Sequence, residues 1–357
     1  MSRARGFSLV ELMIAMTLAL IVSAGVVSVF VGSRSAFLAT SGTAALTENG
    51  RFALNFIASS VRNAGYMSCT TASHMQGILN AGVTPLPYFF SEALGGFEAN
   101  NTGVGAAYTV ATPPVAPDAS TADWIAGLDA ALAGLAVKNN DVLVVRSTLH
   151  NAQSVYVSSI VDGAPTFTVN AQGLLAIGQL AAISDCSKGA VFQITGIAPS
   201  GPNAVITHNA GGTPGNTTAA FPISFAIGSQ VTPVDTVVYY IGQGQDGDSA
   251  LFSYDLNAGN AFTASELVPD IEAMQILYGL DTNSTQTVSK YVTADQVPDF
   301  NTVMSVKVAL LAASPPGSAK SAVAATYTLL GTTVTAPIDT RERKVFEETI
   351  AVRNSLP

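Results

Sequence analysis

From Phe7 to Val31 the chain is almost unbroken in its apolar character, and Glu11 is the one charge in the run. At 1.5 Å per residue the run predicts a helix of about 37 Å. That is long enough to cross a bilayer core of roughly 30 Å. A basic leader, residues 1–6 with Arg3 and Arg5, precedes it. The positive-inside rule places that leader in the cytoplasm and the rest of the chain outside. A carboxylate inside a membrane-length helix is costly without a partner. No Lys or Arg lies between Phe7 and Gly32 to supply one.

The pattern then becomes amphipathic. No proline occurs from Ser33 to about Tyr66. Ala53, Ile57, Val61 and Ala64 recur at helical spacing on one face, with Phe52 and Phe56 beside them. Polar residues such as Glu48, Arg51, Asn55 and Arg62 occupy much of the remainder. Phe52 and Phe56 read as core packing. Gly42 and Gly50 read as places where the helix bends or melts, and Gly65 reads as its stop. The expectation is one long helix, with a membrane half over 7–31 and an amphipathic half over 32–66, packed on a head of residues 67–357.

After Cys69 the apolar runs shorten and alternate with Gly, Pro, Asn and Ser. Period-two patterning and β-branched content predict strands at Asp141–Ser147, Ser154–Val161, Thr166–Asn170, Leu180–Ser184, Ala190–Ile197, Val205–Thr207, Thr236–Ile241, Ala250–Asp255, Met274–Leu280, Met304–Ala312 and Val323–Leu330. One further helix is predicted at Thr121–Leu135, a hairpin turn at Gln243–Asp248, and a mobile loop at Ala210–Thr218. The fold class is α+β: a long N-terminal α-helical stalk packed on a β-rich head.

Composition narrows the function classes. Charged residues are 11% of the chain and the formal charge is −9. An acidic chain without a basic run argues against nucleic-acid binding by electrostatics. Arg341, Arg343 and Lys344 read as a solvated strand end. Cys69 and Cys186 are the two cysteines, and an even count outside the cytoplasm suggests a disulfide. Such a bridge, closing more than 100 residues, is worth on the order of 4–5 kcal/mol in the chain-entropy model.

No catalytic constellation appears, and no cofactor is implied. His74, His150 and His208 lack metal-ligand spacing and read as loop or surface residues. Asp246 and Asp248 flank Gly247 as in a calcium loop, but the ligand series is incomplete and reads as an acidic turn. No metal site is expected. Trp124 reads as a packing residue of its helix.

Gly6-Phe7-Ser8-Leu9-Val10-Glu11 resembles the class III signal of type IV prepilins and of type II secretion pseudopilins. A secretory signal would carry its apolar region before the cleavage site; here the glycine comes first. The resemblance implies cleavage after Gly6 by a prepilin peptidase, N-methylation of Phe7, and docking of subunits through Phe7 and Glu11. Glu48–Leu54, Arg62–Cys69, Ser184-Asp-Cys186, Val268–Asp281, Val303–Leu311 and Phe346–Asn354 resemble segments of PilW-type minor pilins. Residues 70–140 carry little of this likeness. The implied role is assembly: an inner-membrane subunit with a periplasmic head joins other minor pilins and the major pilin in a tip or priming complex, with a tip adhesin as a further candidate partner. Twitching motility, adhesion or DNA uptake would depend on the resulting pilus. A J-type pseudopilin of a type II secretion system is the first alternative. A membrane-tethered adhesin or ligand-binding module outside any filament is the second.

Overall fold

The computed structural model describes residues 8–80, 88–113, 115–212, 214–256, 262–283, 285–319, 321–322 and 324–355. The leader, Gly6 and Phe7 lie outside these. A single α-helix, α1, runs unbroken from Leu9 to Asn63. At 1.5 Å per residue its 55 residues extend about 82 Å. Every residue from Ser8 to Arg34 is exposed. Leu46, Ala53, Leu54, Ile57, Ala58 and Val61 are buried against the head. The helix ends as its C-terminal chemistry requires. Gly65, at φ +75°, takes the left-handed conformation that costs a glycine little. Tyr66 therefore belongs to the next element, the two-residue strand Tyr66–Met67.

Gly42 and Gly50 neither bend nor melt the helix. They are points of close approach. A Cβ at Gly42 would collide with the Ser318 side chain, and one at Gly50 would enter the Phe346 ring. Phe52 and Phe56 are not core residues: they stay 50% and 45% exposed on the opposite side of the helix from the seat. Spacing alone had placed them beside the apolar face, but that face is narrower than two aromatic rings.

Two large sheets carry the head, beside a two-stranded and a three-stranded one among the described residues. Strand Gln230–Gln243 is the spine of the larger, twelve-stranded one. Its first residues pair with Leu180–Ser184 and with the start of Val155–Ile160. From Val234 onward it pairs with Val142–Thr148 and Ser249–Leu256. Pro233 sits at this change of partners, where an absent N–H costs least. The second sheet has the order Lys290–Val292, Ile271–Leu280, Val303–Ala313, Arg343–Ala351. The rear half of α1 packs on its last two strands, and one hydrophobic core joins helix and both sheets.

The predicted strands fall on observed ones with shifted ends, except that Ala190–Ile197 divides into Gly189–Gln193 and Gly196–Ser200. Val323 lies outside the described residues, and that strand is observed as Thr326–Leu329. The Thr121–Leu135 helix is not continuous. A 3₁₀ turn covers Thr121–Asp123 and a short α-helix Ala130–Ala133. Between them Ala126 and Gly127 adopt positive φ, which no helix accommodates. Trp124 is nevertheless a packing residue, 2% exposed, and its indole N–H donates to the Asn140 carbonyl. The described residues of the 210–218 loop are pinned. Buried Asn216 donates to the Gln193 and Asn209 carbonyls and accepts from the Gln193 N–H.

Candidate functional site

The front of α1 is a bare apolar rod with one carboxylate near its tip. Ser8 is the N-cap residue, and its carbonyl accepts from the Leu12 N–H. Glu11 is the acidic residue of the first turn. A carboxylate suits the positive end of a helix dipole, but it does not suit hydrocarbon without a cation. The first cation along the described helix is Arg34, 23 residues and about 35 Å further on. Phe7, the proposed partner of Glu11 in docking, lies outside the described residues, as does Gly6.

The rear of α1 is seated by small residues and by polar contacts at its rim. The Thr43 hydroxyl donates to Glu342 at 2.8 Å, Ser60 meets the Tyr239 hydroxyl at 2.6 Å, and Arg62 pairs with Glu348 at 2.6 Å. The Asn354 amide donates to the Ala64 carbonyl at 3.1 Å and so covers an unpaired group of the helix end. The Arg62 pair is half exposed and contributes little by itself. Most of the seat's stability comes from the buried apolar side chains.

Two arginines lock the strand beneath the helix. Arg343 reaches Glu272 at 2.6 and 2.9 Å and Asp339 at 2.6 and 2.8 Å. Arg341 bridges Asp270, at 2.8 Å, and Asp248. Their side chains are 3% and 5% exposed. The solvated strand end expected of Arg341 and Arg343 is therefore corrected. Hydrogen bonds to Asp339 and Glu272 outweigh the burial of Arg343 and raise its pKa. A signal was present: a chain this poor in cations rarely places two together by accident. The same contacts explain the acidic turn. Asp246, Asp248 and Asp270 cluster closely enough to hold an ion, but Arg341 already supplies their positive charge.

Cys69 and Cys186 form a disulfide across 117 residues, with Cα atoms 4.7 Å apart. The bridge ties the segment just past α1 to the turn between strands Leu180–Ser184 and Gly189–Gln193. His74 and His150 are exposed. His208 is not: it is fully buried among Phe167, Phe192 and Phe221. Burial pushes its pKa down to about 4 and keeps it neutral. Its neighbours in sequence are Thr and Asn, so nothing local signalled that aromatic cage.

Two known protein families match the chain. The prokaryotic N-terminal methylation motif matches residues 1–27, and the type IV pilus-assembly protein W family matches residues 238–354. Among solved structures, a type IV-like pilin from Thermus thermophilus is 18% identical, with a TM-score of 0.22 over 50% of this chain and 85% of that one. No curated protein matches significantly. A methylation motif on an apolar helix, ahead of a sheet-rich head, defines a type IV pilin-like protein. Within that class, residues 238–354 carry the likeness to the type IV pilus-assembly protein W family, which supports a PilW-type minor pilin. The PilW match takes in the end of the spine strand from Val238, all of the four-stranded sheet and both arginines that lock it. The families found are structural ones.

Proposed function

We propose that this minor pilin joins other minor pilins and the major pilin in the tip or priming complex of a type IV pilus. In this reading the pilus it helps to build serves twitching motility, adhesion or DNA uptake. The observation that carries the reading is the division of α1. Its front half is apolar, exposed from Ser8 to Arg34 and carries a lone Glu11, while its rear half is committed to the head. A bilayer can cover the front half before assembly and the helices of neighbouring subunits afterwards. Before assembly the head stands in the periplasm and the prepilin peptidase cuts after Gly6. Phe7 becomes the N-methylated first residue, and Glu11 meets the amine of a neighbouring subunit, which relieves the cost of an unpaired ion in an apolar surrounding. A type II secretion pseudopilin would carry the same signal; the match of residues 238–354 to a pilus-assembly family favours the pilus.

Mass spectrometry of the mature N-terminus tests processing. N-methyl-Phe7 is expected, and an intact Gly6–Phe7 bond in a Gly6→Val control. An intact bond in the wild type would overturn the reading and favour a tethered module. Co-purification of pilus subunits with wild type and Glu11→Ala, at matched membrane levels, tests docking. Recovery of partners should fall in the variant.

A further inference from the structure

Between the bare rod and the seat lies a neck, and one rigid helix measures it off. Arg34 is the only charge between Glu11 and Glu48. It is exposed and, among the described residues, pairs with no acid. From Ser8 to Arg34 the rod rises about 39 Å. A bilayer with its headgroups is roughly 40–45 Å thick. With the front of α1 across a membrane, Arg34 therefore falls in the headgroup layer on the head's side. Phe30 and Phe37, at helical spacing before and after it, share its face of α1. Phe37 lies past the end of the apolar run and is 70% exposed.

The head begins close above that point. Gly42, the first buried position of α1, stands about 12 Å past Arg34. A Cβ there would meet Ser318, and Thr43 beside it donates to Glu342. Strand Arg343–Ala351 then runs along the helix, with Phe346 against Gly50 and Glu348 against Arg62. The chain just before that strand therefore lies at the end of the head from which the rod emerges. Thr340 is held there: its hydroxyl accepts from the Gly317 N–H and its carbonyl from the Ala319 N–H. Ile338, two residues earlier, is 71% exposed, among the barest large apolar side chains outside the rod. The extended chain back from Glu342 to Ile338 can reach about 13 Å, enough to return to the level of Arg34. Asp339 beside it is paired with Arg343 and adds no free charge to that tip.

We propose that this end of the head rests on the membrane surface before assembly, with Arg34 on a phospholipid phosphate and Phe37 and Ile338 seated in the headgroup layer. The inference rests on the reading that a bilayer first covers the front half of α1. The helix is unbroken from Leu9 to Asn63, so no hinge lets the head drift away from the membrane. The rise per residue fixes its height. Apolar side chains held at that height gain by leaving water for the boundary of headgroups and acyl chains. The arginine lays its stem along the rod and turns its planar donors to phosphate oxygens. Phe37 comes from the helix and Ile338 from the head, so the footing has two sides and resists tipping. Passage of the subunit into a filament must break it.

The test uses the full-length protein reconstituted into phosphatidylcholine vesicles that carry a nitroxide quencher either on the headgroup or midway down the acyl chain. The wild type, whose only tryptophan is the buried Trp124, sets the baseline. Tryptophan is then added at exposed positions, where folding is not at stake. Phe37→Trp and Ile338→Trp should lose fluorescence to the headgroup quencher, and Leu20→Trp to the chain quencher. Val161→Trp should be quenched by neither. That position is as exposed as Ile338, but it follows strand Val155–Ile160 in the part of the head that the disulfide ties to the far end of α1. Arg34→Glu, which sets like charge against phosphate, should weaken the quenching of Ile338→Trp. Ile338→Trp no more quenched than Val161→Trp, with Leu20→Trp quenched, would overturn the footing and leave the spanning helix intact. Quenching of Ile338→Trp unchanged by Arg34→Glu would overturn the role of Arg34. An unquenched Leu20→Trp would overturn the membrane reading itself, and the footing with it.

Discussion

The two halves of α1 are one helix in two environments. The front carries Leu, Ile, Val, Met and Phe over its whole circumference and touches nothing in the protein. The rear buries a narrow stripe in which glycine and alanine are interspersed with larger aliphatics, Gly42, Leu46, Gly50, Ala53, Leu54, Ile57, Ala58 and Val61. Apolar content therefore does not decide which half the head covers. Shape does: glycine and alanine let the backbone approach a sheet closely, whereas a rod of large side chains is a surface for lipid or for other helices. The front half is free to take part in assembly because the head makes no claim on it.

Breaking the rear half should cost most. Arg343→Leu would leave Glu272 buried and unpaired in the sheet that seats the helix. It should destabilise the head by about 3–5 kcal/mol, read by urea unfolding with the buried Trp124 as fluorophore, and should expose residues 42–61 to protease. Undiminished stability would mean that the arginine lock does not hold the seat. Ile57→Ala removes a fully buried side chain from the centre of the stripe. A loss of about 2–5 kcal/mol is expected by the same measurement.

A smaller effect should appear with pH and should belong to the head. Asp235 is mostly buried, its Oδ1 has no partner, and burial raises its pKa to about 7. The folded state thus holds a proton that the unfolded state releases from about pH 4 upward. Its contribution is fully present below pH 4 and is lost as pH rises to about 7. Unfolding temperature should fall across that window, and Asp235→Asn should flatten the fall. An equal slope in the variant would assign the effect to other acids.

The front half should give the smallest change in the head. Leu20→Ala and Glu11→Ala should leave head stability within about 0.5 kcal/mol of wild type, and any effect of Glu11→Ala should appear in partner recovery. A large change in Trp124-monitored unfolding would show that the two halves are coupled after all.

The stalk was legible from the chain because periodicity and length are local properties. The apolar run, the Ala53–Ile57–Val61–Ala64 stripe and the Gly65 stop all stand within one element. Strand positions were legible for the same reason. What was hidden depends on residues distant in sequence. Gly50 reads as a weak point until Phe346 is placed against it. Arg341 and Arg343 read as solvated until Asp248, Asp270 and Glu272 close around them. His208 reads as a loop residue until three phenylalanines from separate segments surround it. Of the proposed docking residues, Glu11 was visible as an anomaly in an apolar run.

The seat of the helix also orders events in time. Arg62 meets Glu348 across 286 residues of sequence, and Asn354 caps Ala64 across 290. The helix is made first and its seat last. Until strand Arg343–Ala351 has been synthesised, the buried stripe has only part of its surface to lie on, with Phe346 and Glu348 still missing from the seat. A chain ending at Val345 would keep its apolar rod and lose Phe346 with most of strand Arg343–Ala351. Strand Arg343–Ala351 thus completes the conversion of a two-sided helix into a one-sided one.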